Sequence, residues 1–262
     1  MIGILGSGLD SLILTQAVLE NMPGINVFCL NDNLHFSAAA VCYPDRVIRK
    51  AVEHAGLLVE KGAGLILTAS HTLSTIAGPA LSSCGTPVLD IITPSIQQAL
   101  AVSQQHQFGV IGSRRVMESD IYPEKIRKTD QNARIYCAAC PLLAPLVEEG
   151  WIKKPVTAMI IKRYLLPLKI RQIDTLILAS TLYTPIFQVI QRKIGKQVHV
   201  IDGTHELAKA AAAYLKTNPG VDSQMHRTGN LQVMLTAPSP QLITAAKTRL
   251  KVREIEVILM AA

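Results

Sequence analysis

The segment "GLILTASHTLS" at residues 64–74 is typical of a parallel α/β sheet, because an apolar strand-like run passes directly into small and hydroxyl-bearing residues. The run is followed directly by Ser70, His71 and Thr72, at the point where we predict that a strand ends and a helix begins. Open α/β sheets usually place their ligand-contacting groups at that end of the strands. We therefore predict that this loop contributes to a binding site.

The same arrangement recurs later in the chain, where "LILAS" at 176–180 is followed by Thr181. Three pairs of segments match in the same order, each about 110 residues apart: "GILGSG" at 3–8 with "GVIGSR" at 109–114, "LILTAS" at 65–70 with "LILAS" at 176–180, and "PVLD" at 87–90 with "HVID" at 199–202. Matches of this kind indicate an internal duplication. We expect two similar lobes related by a pseudo-two-fold axis, with Ser70 and Ser180 on opposite walls of a ligand cleft between them.

Short apolar runs alternate with helix-period segments such as 45–61 and 203–216, a pattern typical of parallel βαβ units. The predicted strands are residues 3–6, 26–30, 64–69, 87–91, 108–112, 133–137, 174–179, 198–202 and 231–235. The predicted fold class is α/β, with two lobes of parallel-sheet βαβ units. We assign residues 1–95 and 208–262 to lobe 1, and residues 96–207 to lobe 2.

Composition excludes several classes of protein. The chain has 262 residues, 49% of them hydrophobic, and no apolar run approaches the roughly 18 residues that a membrane span needs. We expect a globular cytoplasmic protein with no membrane association. Five cysteines, an odd number, favour reduced thiols. Cys137 and Cys140 form a lone C-x-x-C without a second pair, which predicts two half-buried thiols and no metal site.

The formal net charge of +7 permits an acidic partner, but Lys and Arg are spread along the chain with only a mild concentration between Lys153 and Arg171. Aromatic residues make up 4% of the chain, too few for a surface that stacks nucleic-acid bases. We therefore do not expect a nucleic-acid partner.

Nearly the whole chain resembles the glutamate racemase family, within the wider aspartate/glutamate racemase group. The matching motifs are Gly6-Ser7-Gly8 for the family's D-S-G, "NDNLHFSAA" at 31–39 for G-D-T-A-R-F-P-Y-G, "ASHTL" at 69–73 for A-C-N-T-A, "ACPLLAPLVE" at 139–148 for A-C-P-x-L-x-P-L-V-E, and "LASTLYT" at 178–184 for L-G-C-T-H-Y-P. The match at 139–148 is the most specific of these.

The resemblance implies an enzyme that inverts glutamate at Cα without a cofactor and supplies D-glutamate for peptidoglycan. Two thiols act from opposite faces of the substrate, each assisted by a neighbouring Asp or His. Carried over to this chain, the thiol positions are Ser70 and Ser180, the assisting Asp is Gly6, and the assisting His is Leu182. All four positions have departed from the family pattern.

Other positions carried over from the family concern substrate binding. The resemblance implies that Ser7, Thr72, Ser74 and Thr181 bind the substrate's carboxylates and amine. His71, which stands where the family has Asn, is also a predicted substrate-binding residue, and Ala38 stands where the family has the Tyr of P-Y-G. An equally weighted interpretation is that these Ser and Thr residues are ordinary helix N-caps. We expect a small acidic amino acid, glutamate or aspartate, as the ligand, and a homodimer as the assembly.

The loss of the thiols can be assessed by comparing the free energy of ionising each group with the contribution of an acid/base group to catalysis. A thiol ionises near pKa 8.5 and an unactivated hydroxyl near water's 15.7, a difference of about 7 pKa units or on the order of 10 kcal/mol. A positioned acid/base group contributes only about 3–5 kcal/mol. The sequence therefore predicts a racemase homologue that is catalytically impaired or inactive.

Two alternatives stay open. One is a non-catalytic protein that binds an acidic amino acid or regulates a protein partner. The other is an enzyme with different chemistry on a related small acid, for which Asp32, His35, Asp202 and His205 supply further polar groups. A Ser70–His71 nucleophile is disfavoured, because adjacent residues rarely face each other and the chain lacks a G-x-S-x-G elbow.

Overall fold

The computed structural model describes residues 1–36, 43–250 and 256–259, and it divides into two compact units. Unit 1 consists of Met1–Ile91 and Leu207–Ala262, and unit 2 consists of Ile92–Glu206. Unit 1 is therefore built from both ends of the chain, with unit 2 inserted between them. Among the described residues, no helix is long and apolar enough to cross a membrane.

Unit 1 contains a six-stranded parallel sheet with the strand order β10-β9-β2-β1-β3-β4. Its strands are β1 (Ile2–Gly6), β2 (Val27–Asn31), β3 (Leu65–Thr68), β4 (Val88–Leu89), β9 (Leu231–Leu235) and β10 (Glu256–Leu259). Its helices are α1 (Gly8–Asn21), α2 (Pro44–Glu60), α3 (His71–Leu81), α11 (Pro219–Asp222) and α12 (Pro240–Arg249). The strands β1, β2 and β3 are buried along their whole length, as expected for a parallel sheet covered on both faces.

Unit 2 contains a four-stranded parallel sheet with the order β6-β5-β7-β8. Its strands are β5 (Gln107–Gly112), β6 (Arg134–Ala139), β7 (Thr175–Ala179) and β8 (His199–Asp202). Its helices are α4 (Ile92–Val102), α5 (Arg114–Glu118), α6 (Ile121–Thr129), α7 (Leu143–Glu148), α8 (Pro155–Ile170), α9 (Phe187–Ile194) and a 3-10 helix at Thr181–Ile186. α10 (Gly203–Thr217) begins in unit 2 and continues in unit 1.

The α/β class and the two parallel sheets predicted from the sequence are confirmed, and all nine predicted strands are present. The sequence interpretation missed β10 at the edge of the sheet of unit 1. Four strands follow the same order in each sheet: β2-β1-β3-β4 in unit 1 and β6-β5-β7-β8 in unit 2. This equivalence supports the duplication that the repeated segments indicated, since β1 and β5 occupy the same place in their sheets.

Gly112 ends β5 and lies opposite Ala179 of the neighbouring strand β7. A Cβ atom on Gly112 would lie 2.8 Å from the carbonyl oxygen of Ala179 and 3.1 Å from its Cβ, both on the neighbouring strand. The backbone of Ala179 is held in the sheet and cannot move aside as the end of a flexible side chain can, so an added Cβ would strain the structure. We expect Gly112→Ala to lower the free energy of unfolding by about 1–3 kcal/mol, measured by urea denaturation.

A matched control is available in α2, where Gly56 is exposed and a Cβ would meet nothing within 4 Å. Gly56→Ala should raise the free energy of unfolding by about 0.5–1 kcal/mol, since Ala restricts the unfolded chain and favours a helix. A Gly112→Ala protein as stable as the Gly56→Ala protein would contradict the packing described for β5 and β7.

Candidate active site

Ser70 lies directly after β3 and caps α3. Its backbone is extended, and its Oγ accepts a hydrogen bond from the Leu73 N–H at 3.4 Å. The side chain is half-buried. The hydroxyl of Ser70 is therefore an N-cap, as one of the two interpretations predicted. The hydrogen bond is long, so the cap is weak.

Ser7 follows the neighbouring strand β1, at the same edge of the sheet. It precedes α1, but its side chain makes no capping bond. Its Oγ instead donates to the carbonyl of Phe36 at 3.2 Å, in the segment after β2. Ser7 thus connects the ends of β1 and β2 at the edge where the sequence predicts ligand contacts.

The first turn of α3 contains the other unit 1 residues predicted to bind substrate. His71 is 3% exposed and Thr72 is partly exposed. Ser74 is buried, and its Oγ shares a 2.7 Å hydrogen bond with Thr68 Oγ1 in β3. That bond occupies Ser74 in holding α3 to its strand, whereas Thr72 keeps accessible surface for a ligand.

Gly6 stands where the family has its assisting carboxylate, and its surroundings are closely packed. A Cβ at Gly6 would lie 2.8 Å from Ala69 Cβ and 3.3 Å from Ser11 Cβ. The Ala69 N–H donates to the Leu5 carbonyl at 2.8 Å, which fixes the close approach of the two strand ends. The site therefore has no room for any side chain at position 6 unless β1 and β3 separate.

Asp32, at the end of β2, is the most heavily hydrogen-bonded carboxylate at this edge. It is completely buried. Its Oδ2 lies 2.7 Å from Nε2 of the buried His54 and 3.1 Å from His35 Nδ1. Its Oδ1 accepts hydrogen bonds from the backbone N–H groups of Leu34 and His35 at 3.1 and 2.8 Å, and from Thr236 Oγ1 at 2.8 Å.

Burial by itself would raise the pKa of Asp32, but hydrogen bonds from His54, the His35 backbone and Thr236 together hold that pKa well below its usual range. The group is therefore a carboxylate at every physiological pH. A carboxylate can only accept, so both imidazoles must donate a proton to it.

Asp32, His35 and His54 each offer a potential metal-ligand atom, and the three atoms lie within 4.8 Å of one another. Two ligands of one tetrahedral zinc ion, each bound at about 2.0–2.1 Å, would be roughly 3.3 Å apart. The 2.7 Å between His54 Nε2 and Asp32 Oδ2 is a hydrogen-bond distance instead. We interpret the cluster as a hydrogen-bonded network, and the absence of a metal stays a prediction.

In unit 2, Ser180 follows β7 and precedes the 3-10 helix. It is half-buried, its backbone is extended, and its side chain makes no capping bond. Thr181 is 1% exposed and Leu182 is 9% exposed. Tyr183 is buried, and its hydroxyl donates to the Cys140 carbonyl at 3.0 Å. The apolar Leu182 therefore occupies the place where the family has an assisting histidine.

A second aspartate–histidine pair lies at the end of β8. Asp202 is 7% exposed, and its Oδ2 is 2.9 Å from His205 Nδ1. Its Oδ1 accepts from the Thr204 N–H at 3.0 Å and from Thr184 Oγ1 at 2.9 Å. Thr184 belongs to the 3-10 helix that starts after Ser180, so the pair is joined to that loop.

Three of the cysteines in the described part of the chain are poor substitutes for the missing thiols, because their pKa values are raised. Burial raises the pKa of Cys140 to about 12 and also raises the pKa of Cys29. Cys137 is exposed at the surface, but neighbouring protein atoms partly desolvate its thiol, and together with the Asp120 carboxylate this raises its pKa to about 11. The prediction of two half-buried thiols was wrong in detail, because Cys137 is exposed and Cys140 is buried.

Two participants in the site were missed by sequence reasoning, and one predicted position lies outside the described residues. His54 is 22 residues from Asp32 and Thr236 is 204 residues away, and only the folded sheet brings them together. Ala38 is in the part of the chain that the structure does not describe. The expectation that Ser70 and Ser180 face each other across a cleft stays a prediction.

The profile of the Asp/Glu/Hydantoin racemase family matches residues 3–211. A glutamate racemase from Syntrophus aciditrophicus is 32% identical over 225 residues, covering 83% of this chain and 82% of the relative. A glutamate racemase from Thermus thermophilus, solved in complex with β-chloro-D-alanine, matches with a TM-score of 0.80 and 26% identity, covering 99% of this chain and 96% of that one. A glutamate racemase isoform from Bacillus anthracis matches with a TM-score of 0.88 and 23% identity, covering 100% and 97%.

Proposed function

Since the chain belongs to the Asp/Glu/Hydantoin racemase family and is a homologue of glutamate racemases, we propose that it binds a small acidic amino acid and does not invert it by the two-thiol route. The observation that carries the proposal is the pair Ser70 and Ser180. Each stands at the end of a central strand, where the family has a thiol, and each presents a hydroxyl. Without the thiol route, the D-glutamate supply that the resemblance implies would not be this chain's role.

Several features support ligand binding. β1 and β3 are adjacent parallel strands, so Ser7, Ser70 and Thr72 lie at one edge of the sheet of unit 1. The helices α1 and α3 start at this edge, and the free N–H groups of helix N-termini favour an anionic carboxylate. A relative has been solved with a small chlorinated D-amino acid, which supports an amino acid as the ligand class.

The experiment is a thermal-shift titration with L- and D-glutamate and L- and D-aspartate, with glutamine and asparagine as matched neutral ligands. We expect the acidic amino acids to stabilise the protein in a concentration-dependent way, by about 2.7 kcal/mol at one hundred times Kd. The neutral amides should have a much smaller effect, because they lack the second carboxylate.

Ser7→Ala should weaken binding about tenfold or more, because the Ser7 oxygen, whose proton is donated to Phe36, can still accept a hydrogen bond from the ligand's charged amine. Ser82→Ala is the matched control, since Ser82 is an exposed serine whose Oγ donates to the Pro79 carbonyl at the end of α3. Equal binding of amides and acids would contradict the acidic specificity. Absence of binding by every amino acid would favour the alternative of a protein partner.

A further inference from the structure

Helix α8 of unit 2 has apolar side chains on two opposite faces. Its buried face consists of Thr157, Ile161, Leu165 and Leu168. On the opposite face, Met159, Leu166 and Ile170 are 64%, 53% and 73% exposed. These three residues are spaced by seven and four positions, so they form one line along the exposed side of the helix. We call these three residues the α8 stripe.

The α8 stripe is a contiguous apolar surface with no protein covering it. Ile170 is the most exposed large apolar residue in the described part of the chain. Single exposed apolar side chains are normal on protein surfaces, whereas contiguous ones mark places that bind another molecule or a membrane. The buried face already anchors α8 to unit 2, so the α8 stripe is not needed for that packing.

Positive charge surrounds the α8 stripe. From residue 151 to residue 171 the chain has no acidic residue and six basic ones, which are Lys153, Lys154, Lys162, Arg163, Lys169 and Arg171. Lys162 and Arg163 are both exposed and follow Met159 by three and four positions, so they flank the α8 stripe on its two sides. Neither forms an ion pair with any residue that the structure describes.

The neighbouring groups do not neutralise this charge. Lys169 Nζ donates to the carbonyl of Lys193 at 3.2 Å, and the Arg171 guanidinium lies 5.2 Å from the centre of the Tyr136 ring. Both of these acceptors are uncharged. Helix α9, which packs against α8, has two basic residues and no acidic one. The exposed face of α8 therefore keeps its positive charge.

A basic face with an apolar centre fits an anionic lipid surface. In helices that lie on membranes, apolar side chains enter the boundary between headgroups and acyl chains, and Lys and Arg extend their charged ends to the lipid phosphates. A second copy of the chain fits poorly, because a two-fold interface would bring Lys162 and Arg163 close to the same cations of the other copy. A nucleic acid would use the cations and leave the α8 stripe uncovered.

We propose that the exposed face of α8 binds an anionic lipid surface, with the α8 stripe in the headgroup boundary and Lys162 and Arg163 against lipid phosphates. The protein lies on the membrane surface and does not cross it. The expectation of no membrane association, which rested on the lack of a spanning run, is replaced by this surface binding. The face belongs to unit 2 alone and is separate from the strand edge of unit 1 at which we propose that the amino acid binds.

The test measures co-sedimentation of the protein with two kinds of vesicle. One kind is phosphatidylcholine alone, and the other contains about 30% phosphatidylglycerol, which gives it a negative surface potential. We expect binding to the anionic vesicles and little binding to the neutral ones. Binding should weaken in about 0.5 M salt, because salt screens the attraction between the cations and the lipid phosphates.

Two double variants separate the charged part of the face from its apolar part. The charge variant, Lys162→Gln with Arg163→Gln, should weaken binding about thirtyfold, since each cation near an anionic surface contributes about fivefold. The apolar variant, Met159→Gln with Leu166→Gln, should weaken binding about tenfold or more, because an amide does not enter the acyl boundary. All four side chains are exposed, so both variants should fold, and thermal unfolding checks this.

Two further double variants are matched controls in unit 1. Lys216→Gln with Lys247→Gln removes two exposed cations, and Val52→Gln with Val59→Gln removes two exposed apolar side chains from α2. Both should bind anionic vesicles as the wild type does. Equal losses in the cation control and in the charge variant would show that binding follows net charge alone, which would contradict a site on α8.

Three other outcomes would overturn the proposal. The first is no binding of the wild type to anionic vesicles. The second is binding to a DNA duplex, without binding to vesicles, that the charge variant loses and the apolar variant keeps, which would assign the face to nucleic acid. The third is a smaller assembly of the apolar variant in analytical ultracentrifugation, which would show that the α8 stripe is an interface between copies of this chain.

Discussion

Assayed with either enantiomer of glutamate at neutral pH, the protein is expected to turn over at about 10⁻² s⁻¹ or less, two orders of magnitude below the low end of typical enzymes. The reason is the basicity available at Ser70 and Ser180. Ionising a hydroxyl costs on the order of 10 kcal/mol more than ionising a thiol, and a positioned acid/base group returns only about 3–5 kcal/mol of that. A coupled assay for D-glutamate, or circular dichroism of the reaction, measures the rate.

The companion experiment restores both thiols with Ser70→Cys and Ser180→Cys. Little recovery is expected, because Gly6 and Leu182 leave each thiol without its assisting group. Gly6→Asp would not repair the first site, since its Cβ would lie 2.8 Å from Ala69 Cβ. Turnover near 1 s⁻¹ in the wild type, or strong activity in the two-cysteine variant, would show that the surrounding pocket has not diverged as we describe.

Asp32→Ala is expected to lower the free energy of unfolding by about 3–5 kcal/mol, the largest stability effect that we predict. The substitution removes the acceptor of His54, His35, Thr236 and two backbone N–H groups at a completely buried position. Buried donors without an acceptor carry their full desolvation cost. Urea denaturation at pH 7 measures the loss.

The control is Asp222→Ala, which removes an exposed carboxylate that pairs with Arg227 on the surface of unit 1. Exposed pairs contribute about 0–1 kcal/mol.

The pH dependence of the stabilisation by Asp32 has a defined sign, because the pKa of Asp32 is lowered in the folded protein. Its stabilisation is present above the unfolded value of about 3.9 and is lost as the pH falls below it. The free energy of unfolding of Asp32→Asn should therefore differ least from that of the wild type in acid. A loss of less than about 1 kcal/mol in the free energy of unfolding of Asp32→Ala would contradict the hydrogen-bond network described for Asp32.

The central strands of both sheets could be predicted because each is a short, predominantly apolar run followed by small residues, as in 65–70 and 176–180. β10 could not, since an edge strand near the end of the chain has no such flanking pattern. The loops at Ser70 and Ser180 were predicted from the repeat and from family motifs. His54 and Thr236, the partners of Asp32, could not be predicted, because they lie on α2 and directly after β9 and no local periodicity relates either position to Asp32.

The pairing of β2 with β9 also bears on how the protein is assembled during synthesis. Residues 1–91 leave the ribosome first. The edge of β2 that faces away from β1 has no neighbouring strand, however, until unit 2 and then Leu231–Leu235 have been synthesised. Contacts of such long sequence separation form late, because closing a long loop costs entropy before the strands pair. Thr236, which immediately follows β9, donates to Asp32. The hydrogen-bond network around Asp32 is therefore completed only after β9 has paired with β2, so a chain truncated before residue 231 would lack the Thr236 hydroxyl that helps to orient the Asp32 carboxylate.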